Sequence, residues 1–352
     1  MRALLMKDKQ LRVGDIASPE PLNGQVLVRT LSCGICASDI HLLSHGERLA
    51  TWSREFGGPF RMDMSRDIVM GHEFCGEVLD YGPGSSRPVP TGKRVTSVPT
   101  LATRTQFAVL GYDNEFPGGF AEQMILDENL IRPVPDGLSN DEAALTEPVS
   151  VGHTYIRISQ IRARDVALVV GCGAIGLAII SALRQVGVSL VVASDFSSFR
   201  RELALAAGAH EVVDPAGEEP FRAWAVASGR KKGGTPFVFE CVGVPGVLGE
   251  ILNAAPWGAR VVVAGVCLEP DSIFAASAHT KSLNVQFGGT PTPDDFDKAL
   301  RSLGDGTIDV KRWITGTANL ASGTRAFDWA RDTNTHARVM VRPTEDGSEG
   351  SS

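Results

Sequence analysis

The chain has 352 residues, of which 43% are hydrophobic and 21% charged, and it carries a formal net charge of −7. That length allows two domains with substantial cores, and the acidic balance argues against the clustered Lys and Arg of a nucleic-acid-binding surface. No apolar stretch is long enough to span a bilayer, and the opening MRALLMKDKQLRV meets charge too early for a signal peptide. Six cysteines (Cys33, Cys36, Cys75, Cys172, Cys241 and Cys267) are scattered, several of them inside apolar runs. A disulfide framework normally belongs to a small secreted domain, so these thiols read as buried hydrophobes and the expected location is a reducing cytoplasm.

In chain order, residues 1–150 read as β-rich and irregular, with strands expected at 25–31 and 73–80 and Gly/Pro turns such as YGPG at 81–84. Between those strands stands CGICASDIH, holding Cys36, Ser38, Asp39 and His41, and GHE follows with His72 and Glu73. The stretch 42–70 carries Trp52, Phe56, Phe60, Met62 and Met64 among four arginines. It reads equally as an apolar wall over a substrate site or as a surface Ω-loop or oligomer contact. GKRV at 92–95 is another strand, and Glu147 opens EPVSVGH. Taken singly, Cys36 reads as core, His72 as a hydrogen-bonded surface residue and Glu147 as a helix cap. Together they offer a thiolate, an imidazole and a carboxylate to one metal ion, which is the donor set of catalytic zinc.

From about residue 165 the texture changes. ALVVG at 167–171 is a continuous apolar run, as a strand buried on both faces requires. A helix pattern at 177–186, a strand at 190–194, a helix at 198–207 and further strands ending at 214, 243 and 265 give an alternating βα series, hence a parallel doubly wound sheet. GCGAIG at 171–176 fits G-x-G-x-x-G in the required strand–turn–helix context, which assigns Gly171, Gly173, Ile175 and Gly176 to a dinucleotide. Asp195 closes the next strand, where a carboxylate bonds the adenosine ribose and repels a 2′-phosphate. NAD is therefore expected, while Arg200 and Arg201 keep NADP open. A helix at 294–303, a late strand at 337–343 returning to the first sheet and a polar, disordered tail at 344–352 complete the reading.

CGICASDIH, GHE, EPVSVG and GCGAIG stand in one order and at fitting intervals. On these motifs nearly the whole chain closely resembles the zinc-dependent medium-chain alcohol dehydrogenases. The resemblance implies an α/β protein: a GroES-like catalytic domain at 1–150, completed by 290–343, a Rossmann domain at 151–289, and an active site in the cleft. Cys36 and His72 match zinc ligands. Glu147 stands where the alcohol branch has cysteine and the polyol, threonine and glucose branches have glutamate, and Glu73 matches a glutamate that itself binds zinc in some relatives. Asp39 matches the carboxylate that orients the ligand histidine. Ser38 matches the hydroxyl beside the substrate oxygen, and His41 the histidine that exchanges its proton with solvent through the cofactor ribose. Val242, Val266 and Phe287 fall where relatives contact the nicotinamide, although such residues at strand ends are equally plain core.

The chain departs from many relatives in having no cysteine between 96 and 120, so a four-thiolate structural zinc is excluded and one catalytic ion is expected. Cys33 is read as structural, and no role is transferred to His153. The reaction implied is hydride transfer between an alcohol, of secondary type, and its carbonyl partner, in a homodimer or homotetramer. The rivals are a zinc-free enone or quinone reductase on the same fold, which lacks the Cys, GHE and Glu set, and a non-catalytic dinucleotide-binding subunit.

Overall fold

Strand Gln25–Gly34 forms the hub of the first half of the chain. It pairs antiparallel with Glu73–Tyr81 on one side, with Gly34 opposite Glu73, and with Arg338–Val341 on the other, with Met340 opposite Gly34. In the computed structural model, which describes residues 1–102, 107–229 and 234–344, these strands belong to a seven-stranded sheet. The late strand does return to the first sheet, and its apolar residues join the same core as Val26, Val28 and Phe74.

Contacts divide the chain into one unit made of Met1–Glu147, Val310–Asp332 and His336–Ser352, and a second made of Pro148–Asp309 and Thr333–Thr335. The second unit contains a six-stranded, wholly parallel sheet. Its order is Glu211–Val213, Leu190–Ser194, Val166–Val170, Pro236–Glu240, Arg260–Val263, Asn284–Phe287. This is the 3-2-1-4-5-6 order of a dinucleotide-binding sheet, with its switch point between the first and fourth strands. The alternation of buried strands and helices read from 165 onward is thus realised within a residue or two at most ends.

Two expectations need correction. The segment assigned to the first domain from 290 onward joins it only from Val310; residues 290–309 belong to the second unit. The reason is helix Pro293–Gly304, whose buried Asp295 accepts hydrogen bonds from Arg157 (2.8 Å) and Thr154 (3.1 Å) of helix Thr146–Ser159. The stretch 42–70, expected to be a loop or lid, is helical through Phe56, as part of helix Ala37–Phe56. That helix buries Asp39, Leu42, Leu43, Gly46, Ala50 and Ser53, a spacing that forms one face, and ends on Gly57 in the left-handed region (φ 74°). Met62 and Met64 are core residues at 3% exposure, and Met64 fills the groove left by Gly46, where a Cβ would lie 2.3 Å from its Cε. Of the expected disordered tail only Thr344 falls among the described residues; the rest lies outside them.

Candidate active site

The ends of three strands explain how distant residues meet. Cys36 follows Gln25–Gly34 and forms the N-cap of helix Ala37–Phe56. His72 and Glu73 open the neighbouring strand, after Gly71 whose φ of 98° reverses the chain where an L side chain would be strained. Arg338 opens the third. Donor atoms of Cys36, His72 and Glu73 lie within 4.8 Å of one another. Gly34 makes room for this cluster, because a Cβ there would stand 2.6 Å from Glu73 Oε2.

Asp39, fully buried, ties the cluster together. Its Oδ2 accepts the Cys36 backbone N–H at 2.9 Å, and its Oδ1 lies 3.6 Å from His72 Nδ1. Glu73 Oε1 accepts from Arg338 Nη2 at 2.9 Å, and Arg338 Nη1 donates to the Ile35 carbonyl. Ser38 Oγ is 3.4 Å from His72 Nε2. Tyr112 stands with its ring 5.4 Å from that of His72. Asp39 Oδ1 and His72 Nδ1 face each other, whereas Glu73 Oε2, buried at the cluster, has no hydrogen-bond partner. A native interior seldom leaves a buried carboxylate oxygen without something to bind.

The charge balance points the same way. Burial pushes the Glu147 carboxyl upward, Glu73 and Asp39 add to this, and His72 and Arg338 oppose it. Burial also works against a charge on His72, yet its neighbours Tyr112, Asp39 and Cys36 carry its pKa well above the imidazole norm. The carboxyls of Asp39, Glu73 and Glu147 stand here with the Arg338 guanidinium and the His72 imidazole. Sulfur, nitrogen and oxygen donors together suit zinc. Glu147 is not among the three clustered donors, but its buried carboxyl lies near enough to feel the charges of His72, Glu73, Arg338 and Asp39. Cys33 also lies off the cluster, fully buried with its thiol pKa raised by that burial.

His41 lies one helical turn after Ser38, half-buried, with its ring 6.4 Å from that of His45. Burial and the His45 charge lower its pKa, so it stays neutral near pH 7. Arg338 and Tyr112 escaped the sequence reading. The sequence signal for Arg338 is a cation at the head of an otherwise apolar strand; Tyr112, alone on a loop, gave none.

In the second unit the Gly-rich turn has the geometry that its motif demands. Gly171 has φ 93°, Gly173 caps helix Ala174–Val186 with the Arg200 guanidinium 3.9 Å from where its Cβ would stand, and a Cβ on Gly176 would sit 2.0 Å from the Gly171 carbonyl. Ile175 is half-buried in the first turn. Asp195 accepts the N–H groups of Cys172 and Ser197, both at 2.8 Å. A cavity of about 760 Å³ is lined by Gly171, Asp195, Ser197, Arg200 and Val242 among others. Arg201 instead pairs with Asp214 at 3.1 Å. Val266 and Phe287 line a second cavity of about 450 Å³ with Gly243 and Gly288. Val242, Val266 and Phe287 are 39%, 65% and 61% exposed, so they are not plain core.

A GroES-like unit with a zinc-type donor cluster and a Rossmann unit with a phosphate-binding turn define a metal-assisted nicotinamide dehydrogenase. Family models for an alcohol dehydrogenase GroES-like domain and a zinc-binding dehydrogenase match residues 22–136 and 174–305. The chain is 31% identical to (R,R)-butanediol dehydrogenase of Bacillus subtilis over 87% of this chain and 89% of that one. It is 27% identical to sorbitol dehydrogenase of Bos taurus, over 94% and 93%. The X-ray structure of 2R,3R-butanediol dehydrogenase from Bacillus subtilis superimposes with a TM-score of 0.82 at 28% identity, covering 97% of this chain and 99% of that one. The chain belongs to the zinc-dependent medium-chain alcohol dehydrogenase superfamily, in its polyol dehydrogenase branch. It is an oxidoreductase acting on CH–OH groups of small alcohols and their carbonyl partners, with zinc and a nicotinamide cofactor.

Proposed function

We propose that the chain interconverts a secondary alcohol of the diol or polyol type and its ketone, using NAD. The observation that carries this reading is the cluster of Cys36, His72 and Glu73, with Glu73 Oε2 buried and unpartnered, set beside the Ser38 hydroxyl. The butanediol and sorbitol relatives support a secondary alcohol with a second hydroxyl nearby. The methionines of the 42–70 stretch are core and are not part of a wall over a substrate.

Cys36 and His72 would hold the ion together with the carboxylates of Glu147 and Glu73, and Asp39 fixes the imidazole from behind. When bound, zinc supplies Lewis acidity toward the substrate oxygen and the nicotinamide carbon gives or takes the hydride. Ser38 exchanges the hydroxyl proton at the substrate oxygen. His41, neutral and one turn further along the same helix face, takes it on toward solvent.

NAD over NADP is supported by Asp195 at the mouth of the cavity and by the commitment of Arg201 to Asp214. Gly171, Gly173, Ile175 and Gly176 take the pyrophosphate, and Val242, Val266 and Phe287 the nicotinamide half. A homo-oligomer is supported by the edge strand Asn284–Phe287 and by Ile273 and Phe274, 48% and 69% exposed. A cytoplasmic setting is supported by six unpaired cysteines; among the described residues no helix is long and apolar enough to cross a membrane.

The test is NAD(H)-linked turnover of the zinc-loaded protein with 2,3-butanediol and sorbitol, against ethanol and against NADP. Higher kcat/KM with the diol or polyol and with NAD is expected. Preference for ethanol would overturn the substrate class, and preference for NADP the cofactor assignment.

A further inference from the structure

Strand Pro236–Glu240 ends on a carboxylate where its neighbours in the sheet have none. In register across the parallel sheet stand Val213, Ser194, Val170, Glu240, Val263 and Phe287. Glu240 is the single charge in that row, and it lies beside the point where the strand order reverses. It is only 3% exposed. A carboxylate is costly to bury unless its oxygens find donors, and here the donors are backbone. Oε1 accepts the N–H groups of Val242 at 2.6 Å and Gly243 at 2.8 Å. The backbone carbonyl of the same residue accepts those of Ala264 and Gly265, both at 2.8 Å. One residue thus holds the segments that leave two adjacent strands.

Those segments approach each other more closely than side chains allow. A Cβ on Gly265 would lie 2.3 Å from Gly243 N and 2.6 Å from Glu240 Oε2. A Cβ on Gly243, whose φ is 71°, would lie 2.8 Å from Val266 N. We propose that Glu240 is a positioning residue for the nicotinamide half of the cofactor: it clasps 242–243 to 264–265 and so sets Val242 and Val266 at one spacing before the cofactor arrives. This rests on the reading of Val242, Val266 and Phe287 as nicotinamide contacts. Glu240 touches no reacting atom and exchanges no proton. Its contribution is preorganisation, which spares the cofactor the cost of ordering two segments. Asp195 is held separately, by the N–H groups of Cys172 and Ser197, so the adenosine half depends little on the clasp.

The test compares NADH and AMP binding to the zinc-loaded protein without substrate, NADH by fluorescence titration and AMP by calorimetry. Glu240→Ala removes the acceptor, whereas Glu240→Gln keeps an oxygen for both N–H groups. NADH affinity should fall roughly twentyfold in Glu240→Ala and stay within about threefold of wild type in Glu240→Gln. AMP affinity should stay within about threefold in both. Gly265→Ala leaves the carboxylate in place and forces the segments apart, so it should reproduce the selective loss even if Glu240→Ala does not fold. Unchanged NADH affinity in Glu240→Ala or Gly265→Ala, or an equal loss of NADH and AMP, would overturn the assignment. So would a Glu240→Gln protein that binds NADH as weakly as Glu240→Ala. Val266→Trp adds bulk to the cavity that Val266 lines, and should abolish NADH binding while sparing AMP. Full NADH affinity in Val266→Trp would sink the placement of the nicotinamide. Selective loss in Val266→Trp with none in Glu240→Ala would sink the clasp alone.

Discussion

The metal cluster and the dinucleotide turn are built on opposite principles. The turn is contiguous, and its Asp195 carboxylate is already satisfied by the N–H groups of Cys172 and Ser197. It is a finished backbone structure, with only the Arg200 guanidinium near Gly173. The metal cluster is assembled from the ends of three strands, and it leaves Glu73 Oε2 buried without a hydrogen-bond partner. A site whose ligand meets backbone can be complete beforehand, whereas a site for a cation must hold unspent donors and excess negative charge. Arg338, the one guanidinium paired with Glu73, keeps that excess bearable until the ion binds.

This contrast predicts different consequences of damage. The largest is at Arg338. Arg338→Met leaves Glu73 buried and unpaired, and should cost about 3–5 kcal/mol in denaturant unfolding; a loss below about 1 kcal/mol would mean that the pair contributes little. Gly176→Ala comes next. Its Cβ would overlap the Gly171 carbonyl, so NAD affinity measured by fluorescence titration should fall about a hundredfold while zinc content is retained. Zinc loss in this variant would show that the two sites are not separable.

Asp295, in helix Pro293–Gly304, offers a pH-dependent check on the second unit. Burial alone would raise its carboxyl, but hydrogen bonds from Arg157, Thr292 and Thr154 outweigh that and depress it to about 2 from 3.8. A depressed carboxylate stabilises above its unfolded pKa and loses that contribution as pH falls through the folded value. The stability gap between wild type and Asp295→Asn should therefore be about 2 kcal/mol above pH ~4 and close as pH drops toward 2. A gap that persists at pH 2 would contradict the assignment. The smallest effect expected is at Asp39. Asp39→Asn should weaken zinc binding about tenfold in a chelator competition, through loss of the charge behind His72. Unchanged affinity would remove it from the site.

Much of this was legible in the sequence for local reasons. The parallel strands are continuous apolar runs, and the turn between the first strand and its helix is punctuated by glycine, so the parallel doubly wound sheet followed. Helix Ala37–Phe56 was not legible, because its buried face is made of Asp39, Gly46, Ala50 and Ser53 as much as of leucine, and the apolar signal is faint. Met64, from outside the helix, packs against its Gly46. The donor residues were visible as types, and their roles came by resemblance. The closeness of Glu73 to Cys36 and His72, and the presence of Arg338, depend on pairings between residues 34, 73 and 340 that no local pattern encodes. The second unit's claim on residues 290–309 was hidden for the same reason, since the buried Phe296, Ala299, Leu300 and Leu303 and the Asp295 pair with Arg157 find their partners only in the fold.

The most direct test of the account is the zinc content and turnover of wild type beside Cys36→Ala, both purified without added metal and then titrated with zinc. The account predicts one tightly held zinc per wild-type chain, and in Cys36→Ala both its loss and the loss of dehydrogenase activity while NAD binding persists. A Cys36→Ala protein that oxidises alcohols at the wild-type rate without metal would contradict it.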